Sequence, residues 1–398
     1  MPQPEWAASI AAPAHGRIDD IELLRAFAIL FTLYEHLHIN LISWYSSTLD
    51  HISKYSGLTT GVDLFFAISG FVIARSLFPQ LEAAGGDTYA FFRATLSFWV
   101  RRAWRILPSA WLWLGVILVL TLVFNRAQAF YLFHTNFIGA VAAILQVANI
   151  RDAETFGRSP YGTTSPYWSL SLEEQFYLLL PVVAFLFRRR LPLVLTIAVS
   201  IGIFLPRFQS TMLTMTRTEG LLLGVLLAIW SRHPTYRLFE PTGMKKHWFA
   251  RFFVVSLLLF CLATLTPNST PIVSIAAGLV AIVSAALVFL ASYDQDYLWK
   301  KSWLKTVMMW VGSRSYAMYL IHVPAYLATR EIWWRIEPPG TVFDGRFTLR
   351  YLATAAILII VLSELNYRLV EMPLRRYGAQ VAARIGQRGA QLAPATPN

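Results

Sequence analysis

Arg25 and His36 are the two residues of this sequence whose types and spacing point most directly to chemistry. They lie eleven positions apart in the stretch LRAFAILFTLYEH, inside the first long apolar run. On a helix, eleven steps of about 100° make three turns plus roughly 20°, so both side chains share one face, about 16 Å apart along the axis. An ionisable group inside a membrane span is expensive and normally faces a protein interior or a water-filled cavity, where it marks a functional path. A guanidinium is suited to bidentate phosphate binding, and an imidazole to proton transfer near neutral pH. An anion site and an acid–base site separated by about half a bilayer suit an enzyme that takes an activated anionic donor from one side of a membrane.

Other residues extend both stations. FWVRRAWRILP puts Arg101 and Arg105 one helical turn apart on one face, where with Arg25 they would form a guanidinium cluster. SPYWSLSLEEQFYLLLP carries Glu173 and Glu174, GVDLFFAISGFVIARSLF carries Asp63, and SRSYAMYLIHVP carries His322. A carboxylate beside His36 would orient the imidazole and stabilise its charged form; the ranking is Glu173, then Asp63, then the adjacent Glu35, which points about 100° away. Each candidate has a plainer explanation. The arginines can serve as topology signals and headgroup contacts, Arg25 can snorkel to the inner headgroups, and His36 can be a packing donor in a polar helix interface.

The elements that must position these residues are set by composition. The chain is 56% hydrophobic and only 14% charged, against about 25% charged in ordinary soluble domains, and its mean hydropathy is +0.50. Apolar runs fall near 22–43, 61–79, 106–124, 131–148, 170–187, 191–206, 218–231, 250–266, 271–292, 305–328 and 349–369. This is the pattern of an all-α, polytopic transmembrane bundle. The net charge of +12 sits at the ends of those runs, the pattern of membrane topology rather than of a nucleic-acid surface. The single cysteine, Cys261, excludes an internal disulfide and a thiol-based metal site.

If every run crossed, Arg188–Arg190 would fall on the opposite side from Arg101 and Arg102, against the positive-inside rule. If 131–148, which carries His134 and Asn136, does not cross, the basic clusters all face the cytoplasm. The reading is therefore ten spans with both termini cytoplasmic and 125–168 as an outer segment dipping into or lying on the membrane. Residues 1–20 are expected to form a cytoplasmic segment, 21–376 the membrane domain and 377–398 a disordered basic tail. Arg25 then lies at the inner end of its span, while His36, Asp63, Glu173 and His322 lie toward the outer side.

At these residues the chain resembles the acyltransferase 3 family of integral membrane acyltransferases. The matching stretches run in order from about 20 to 376: LLRAFAILFTLYEH, GVDLFFAISGF, FWVRRAWRILP, YWSLSLEEQFYLLLP, RTEGLLLG, SRSYAMYLIHVP and RLVEMPLRR. RIDDIELLRAF stands where the family more often has an LDGLRG-like opening. The resemblance implies a ten-helix core in a bacterial inner membrane, an acyl-CoA donor, usually acetyl-CoA, and an acceptor hydroxyl on a cell-envelope glycan or related molecule. It implies His36 as catalytic base and Arg25, Arg101 and Arg105 as donor ligands. The expected form is stand-alone, without a fused extracellular hydrolase-like domain. The competing reading is a proton-coupled transporter or flippase using the same buried His and Glu as a relay. The absence of a visible internal repeat argues mildly against it.

Overall fold

The helix carrying Arg25 and His36 is central to the chain, and its start shows how the rest is hung on it. The computed structural model describes residues 17–207, 211–267 and 275–387, and every regular element among them is helical. In chain order these are α1 (Asp19–Asn40), α2 (Ser47–Tyr55), α3 (Gly61–Ala83), α4 (Thr88–Val123), α5 (Phe133–Ile144), α6 (Ala148–Thr155), α7 (Tyr167–Phe187), α8 (Leu191–Phe204) and α9 (Thr211–Met215). There follow α10 (Glu219–Trp230), α11 (Gly243–Lys246), α12 (Trp248–Thr264), α13 (Ala276–Ser292), α14 (Trp303–Ser313), α15 (Ser315–Ile336), α16 (Thr348–Asn366) and α17 (Met372–Gln387).

The first turn of α1 is acidic (Asp19, Asp20, Glu22), which complements the positive end of the helix dipole. Its unpaired N–H groups find a partner far along the chain: Asp294 Oδ1 accepts from the backbone N–H of Asp19 at 2.9 Å and of Asp20 at 3.3 Å. Asp20 itself is fully buried and accepts from Lys305 Nζ at 3.1 Å and from Tyr297 N at 3.0 Å. The N-terminal end of α1 is thereby tied to the loop between α13 and α14 and to the start of α14.

Small residues bring the helices into contact. A Cβ at Gly70 of α3 would lie 2.0 Å from the Leu221 carbonyl oxygen, and one at Gly224 of α10 would lie 2.2 Å from that of Ala67. The two backbones therefore touch, as expected where apolar lipid offers no hydrophobic drive for helix association. Helix α1 packs against α3, α13, α14 and α15, so the Arg25–His36 stripe faces protein on most sides.

Among the described residues, the helical stretches Leu58–Ala83, Thr88–Val123, Thr211–Trp230 and Gly345–Gly386 are long and apolar enough to cross a membrane. Pro234–Lys246 and Trp248–Thr264, bent by 115°, together form a fifth candidate. Helices α1 and α15, at 22 residues each, rise about 33 Å and have the length but are more polar overall. The run at 131–148 is divided between the 12-residue α5 and the start of α6; α5 rises only about 18 Å against a hydrocarbon core of about 30 Å.

The tail differs from the sequence expectation. Within 377–398, expected to be disordered, α17 continues to Gln387; residues 388–398, like 1–16 of the expected N-terminal segment, lie outside the described residues. The helix persists because α4, at 36 residues, extends well beyond a hydrocarbon core and α17 packs along its first half. Trp104 stacks edge-on with Tyr377 at 4.8 Å, Gly378 sits directly over Trp104, and Ser97 donates to the Ala382 carbonyl at 3.0 Å. Tertiary contact supplies the order that a Gly-, Ala- and Gln-rich composition does not.

Candidate active site

Five helices, α1, α3, α4, α7 and α15, line a partly open cavity of about 100 Å3. Arg25 of α1 and Arg102 and Arg105 of α4 line it, and Ser169 and Glu173 of α7 and Tyr319 of α15 lie on its wall. Arg25 donates to Glu22 Oε1 at 2.6 Å. Arg102 lies over the rings of Tyr177 at 5.6 Å and Phe98 at 5.8 Å. Among the described residues neither Arg102 nor Arg105 makes a hydrogen bond or ion pair, so each leaves five N–H donors for whatever enters.

The arginine pairing expected from spacing is altered. Arg101 does not line the cavity; its Nη2 donates to Gln80 Oε1 at 2.6 Å, on the α3 side. Arg102 takes its place. Arg102 and Arg105 also share a helix face, at i and i+3, and the rotation of α4 in the bundle selects that face. The same i,i+3 spacing is visible in the sequence, but it could not decide between the two pairs.

Beyond the cavity lies the histidine station. Tyr319, on the cavity wall, has its ring 5.7 Å from that of His322, and its carbonyl oxygen is 2.7 Å from His322 Nδ1. His322 is completely buried and sets its Nε2 3.2 Å from His36 Nδ1. His36 Nδ1 also lies 3.0 Å from the Thr32 carbonyl oxygen. Carbonyl oxygens only accept, so these contacts assign a proton to Nδ1 of each ring. His322 Nε2 is then an acceptor for the His36 Nδ1–H, and His36 Nε2 is left with its lone pair free. Nearby, Tyr326 donates to the Leu33 carbonyl at 2.8 Å and bolts α15 to α1.

None of the three ranked carboxylates touches His36; the side chain beside its Nδ1 is His322. Glu173 accepts from Ser69 at 3.1 Å and from Tyr177 at 2.6 Å, part-way along the cavity. Asp63 is gripped by Arg217 through two hydrogen bonds of 2.7 and 3.1 Å, with that guanidinium 4.8 Å over Trp168. Glu35 Oε2 accepts from the backbone N–H of Leu58 at 3.0 Å. Two histidines therefore meet, while the carboxylates serve helix packing or the cavity wall. Tyr319 was not singled out from sequence, although it lies one helical turn before His322, the spacing at which side chains share a face.

Residues 125–168, expected on the outer side, are held by buried polar contacts. Glu331 of α15, fully buried, accepts from the backbone N–H groups of Arg126 and Ala127, both at 2.8 Å, and from Arg335 Nε at 2.8 Å. Asn136, also fully buried, donates to Thr121 and to the Phe130 carbonyl and accepts from Thr163 N. Burial of Asp152 on the short α6 pushes its carboxyl up to about 7 despite Arg151 beside it.

A helical protein with several apolar segments long enough to cross a membrane, with arginines lining an interior cavity and a buried histidine pair, has the character of a multi-pass membrane protein. The comparisons narrow that class. Residues 18–363 match the acyltransferase domain that defines the acyltransferase 3 family, and the chain belongs to that family. It is 28% identical over 390 residues to the putative peptidoglycan O-acetyltransferase YrhL of Bacillus subtilis (strain 168), covering 92% of this chain and 56% of that protein. It is 27% identical over 402 residues to the O-acetyltransferase OatA of Staphylococcus aureus (strain MRSA252), covering 93% of this chain and 59% of the relative. The chain thus spans a little over half the length of these relatives. No solved structure matches it significantly.

Proposed function

We propose that this chain is a membrane O-acyltransferase that moves an acyl group, acetyl in its natural reaction, from cytoplasmic acyl-CoA to a hydroxyl of a cell-envelope glycan. The relatives named as peptidoglycan O-acetyltransferases support the acceptor class. Ten spans with both termini cytoplasmic, in a bacterial inner membrane, complete the reading, because the basic loop clusters then share one side.

One observation carries the donor assignment. Two guanidinium groups without polar partners among the described residues, Arg102 and Arg105, face a cavity whose wall includes Tyr319, the residue that abuts and holds His322. In this reading Arg25, Arg102 and Arg105 bind the phosphates, and the pantetheine arm runs past Ser69 and Glu173 toward the histidines. Arg101, the other arginine expected from sequence, supports α4 against α3 through Gln80. His36 Nε2 takes the proton of the acceptor hydroxyl as its oxygen attacks the thioester carbonyl. The tetrahedral adduct collapses with cleavage of the C–S bond, and the imidazolium returns the proton to the leaving thiolate. His322 and the Thr32 carbonyl hold the ring in the tautomer this step needs, the orienting role that a carboxylate fills in other triads.

The test is release of free CoA thiol by purified protein in nanodiscs, with acetyl-CoA and peptidoglycan glycan fragments as acceptor. Acceptor-dependent release matched by ester formation supports the reading. Proton-coupled movement of a precursor with no thiol product sinks it and brings the transporter reading forward.

A further inference from the structure

Glu173 takes no part in the proton transfers proposed above, yet it stands on the cavity wall in a fixed geometry. Ser69 of α3 donates to its Oε1 at 3.1 Å and Tyr177 to its Oε2 at 2.6 Å, so the carboxyl is held from two helices. Along α7 it lies one turn from Ser169 on one side and one turn from Tyr177 on the other. Ser169 Oγ is 2.7 Å from the Tyr319 hydroxyl, and the Tyr177 ring lies 5.6 Å from the Arg102 guanidinium. Glu173 therefore sits midway between the arginine end of the cavity and the end that abuts His322. Among the described residues it closes no ion pair, although Arg25 and Arg102 line the same cavity. Both hydroxyls donate to it, and each carboxyl oxygen keeps a further lone pair for a group inside the cavity. Much of the surrounding wall is apolar, with Val62, Phe65, Val72 and Ile73 among its side chains. A polar group that enters such a site costs free energy unless it finds a partner.

We propose that Glu173 is a donor-binding residue that accepts a hydrogen bond from an amide N–H of the pantetheine arm. The inference rests on the donor reading above. The arm carries two secondary amides, and the cavity arginines, which only donate, cannot satisfy their N–H groups. Glu173 supplies the missing acceptor, about 6 Å along α7 from the residues that mark either end of the cavity. Its two hydroxyl partners set the carboxyl in one orientation before the ligand arrives, which lowers the ordering cost of binding. The site thereby selects CoA thioesters over adenine nucleotides that share the diphosphate and lack the arm.

Calorimetric titration of CoA and of ADP into the full chain in nanodiscs, wild type and E173L, tests this. E173L keeps the approximate volume and removes both acceptor oxygens. CoA binding weakens about five- to tenfold, the size of one lost hydrogen bond, while ADP affinity changes by less than about twofold. A CoA analogue with esters in place of the arm amides binds wild type about five- to tenfold less tightly than CoA does. In E173L the analogue and CoA bind within about twofold of each other. Equal weakening of CoA and ADP in E173L marks a structural role and overturns the proposal, as does unchanged CoA binding. If E173L does not purify folded, S69A frees the carboxyl from one of its hydroxyls and weakens CoA about two- to threefold without weakening ADP. A parallel change in both ligands, or none, overturns the proposal. Wild type that does not bind CoA at all overturns the donor reading itself, and this inference with it.

Discussion

His322 presents its Nε2 to the Nδ1 of His36 across 3.2 Å, joining two residues 286 positions apart in the chain. The contact makes one imidazole the neutral acceptor that fixes the tautomer of the other. In the proposed mechanism a neutral partner would orient the His36 ring without a second charge to bury.

The two histidines should therefore fail differently. His36→Ala removes the proposed base and lowers acceptor-dependent CoA release by about 10²- to 10⁴-fold. His322→Ala leaves the base but loses its orientation, with a loss of about 10- to 100-fold. His322→Gln, which can present an amide oxygen to the His36 Nδ1–H, recovers part of it. Single-turnover rates with saturating acetyl-CoA check this; equal losses for His36→Ala and His322→Ala would assign both rings to the reaction itself.

The arginines of α4 should separate by face. Arg102→Ala removes a cavity-lining cation and weakens CoA binding by at least about tenfold, the scale of a charge-assisted hydrogen bond. Arg101→Ala removes only the bond to Gln80 and changes CoA affinity by less than about twofold. Calorimetry with both variants decides; a larger effect at Arg101 would mean that α4 presents its other face to the donor.

Glu331 holds the start of the segment that follows α4. Glu331→Ala strands the backbone N–H groups of Arg126 and Ala127 and frees Arg335. Two unsatisfied donors cost about 2–6 kcal/mol locally, enough to open the segment. Hydrogen exchange should rise over residues 125–131 while the cores of α3 and α10 stay protected. Uniform exchange across the chain would instead indicate global destabilisation.

Asp152 should impose a pH dependence on the same segment. Its folded value, about 7, lies above the usual value of 3.8, so the native state holds a proton that the unfolded state has released. Stability of the segment then falls as pH rises from about 4 to 7, by up to about 1.4 kcal/mol per pH unit, and levels off above that. Asp152→Asn, permanently neutral, removes the slope. Local exchange or proteolysis across pH 4–8 measures it; a slope that survives in Asp152→Asn belongs to another group.

Much of this protein was legible in its residues because the information is local. Apolar runs mark helices wherever they pack, and the eleven-residue spacing puts Arg25 and His36 on one face by helix geometry alone. The ordered motifs from LLRAFAILFTLYEH to RLVEMPLRR were sufficient to indicate the family to which the chain belongs. What the bundle decided is which neighbours those faces meet. Each residue step turns a helix by about 100°, so a small rotation of α4 exchanges Arg101 for Arg102 at the cavity. Glu173 ranked first and Asp63 second as the partner of His36, yet Ser69 with Tyr177 and Arg217, respectively, hold them elsewhere. The helical order of α17 comes from its packing on α4, a surface its own composition does not encode. Spacing along one helix is a property of the chain; the partner across an interface is a property of the packed whole.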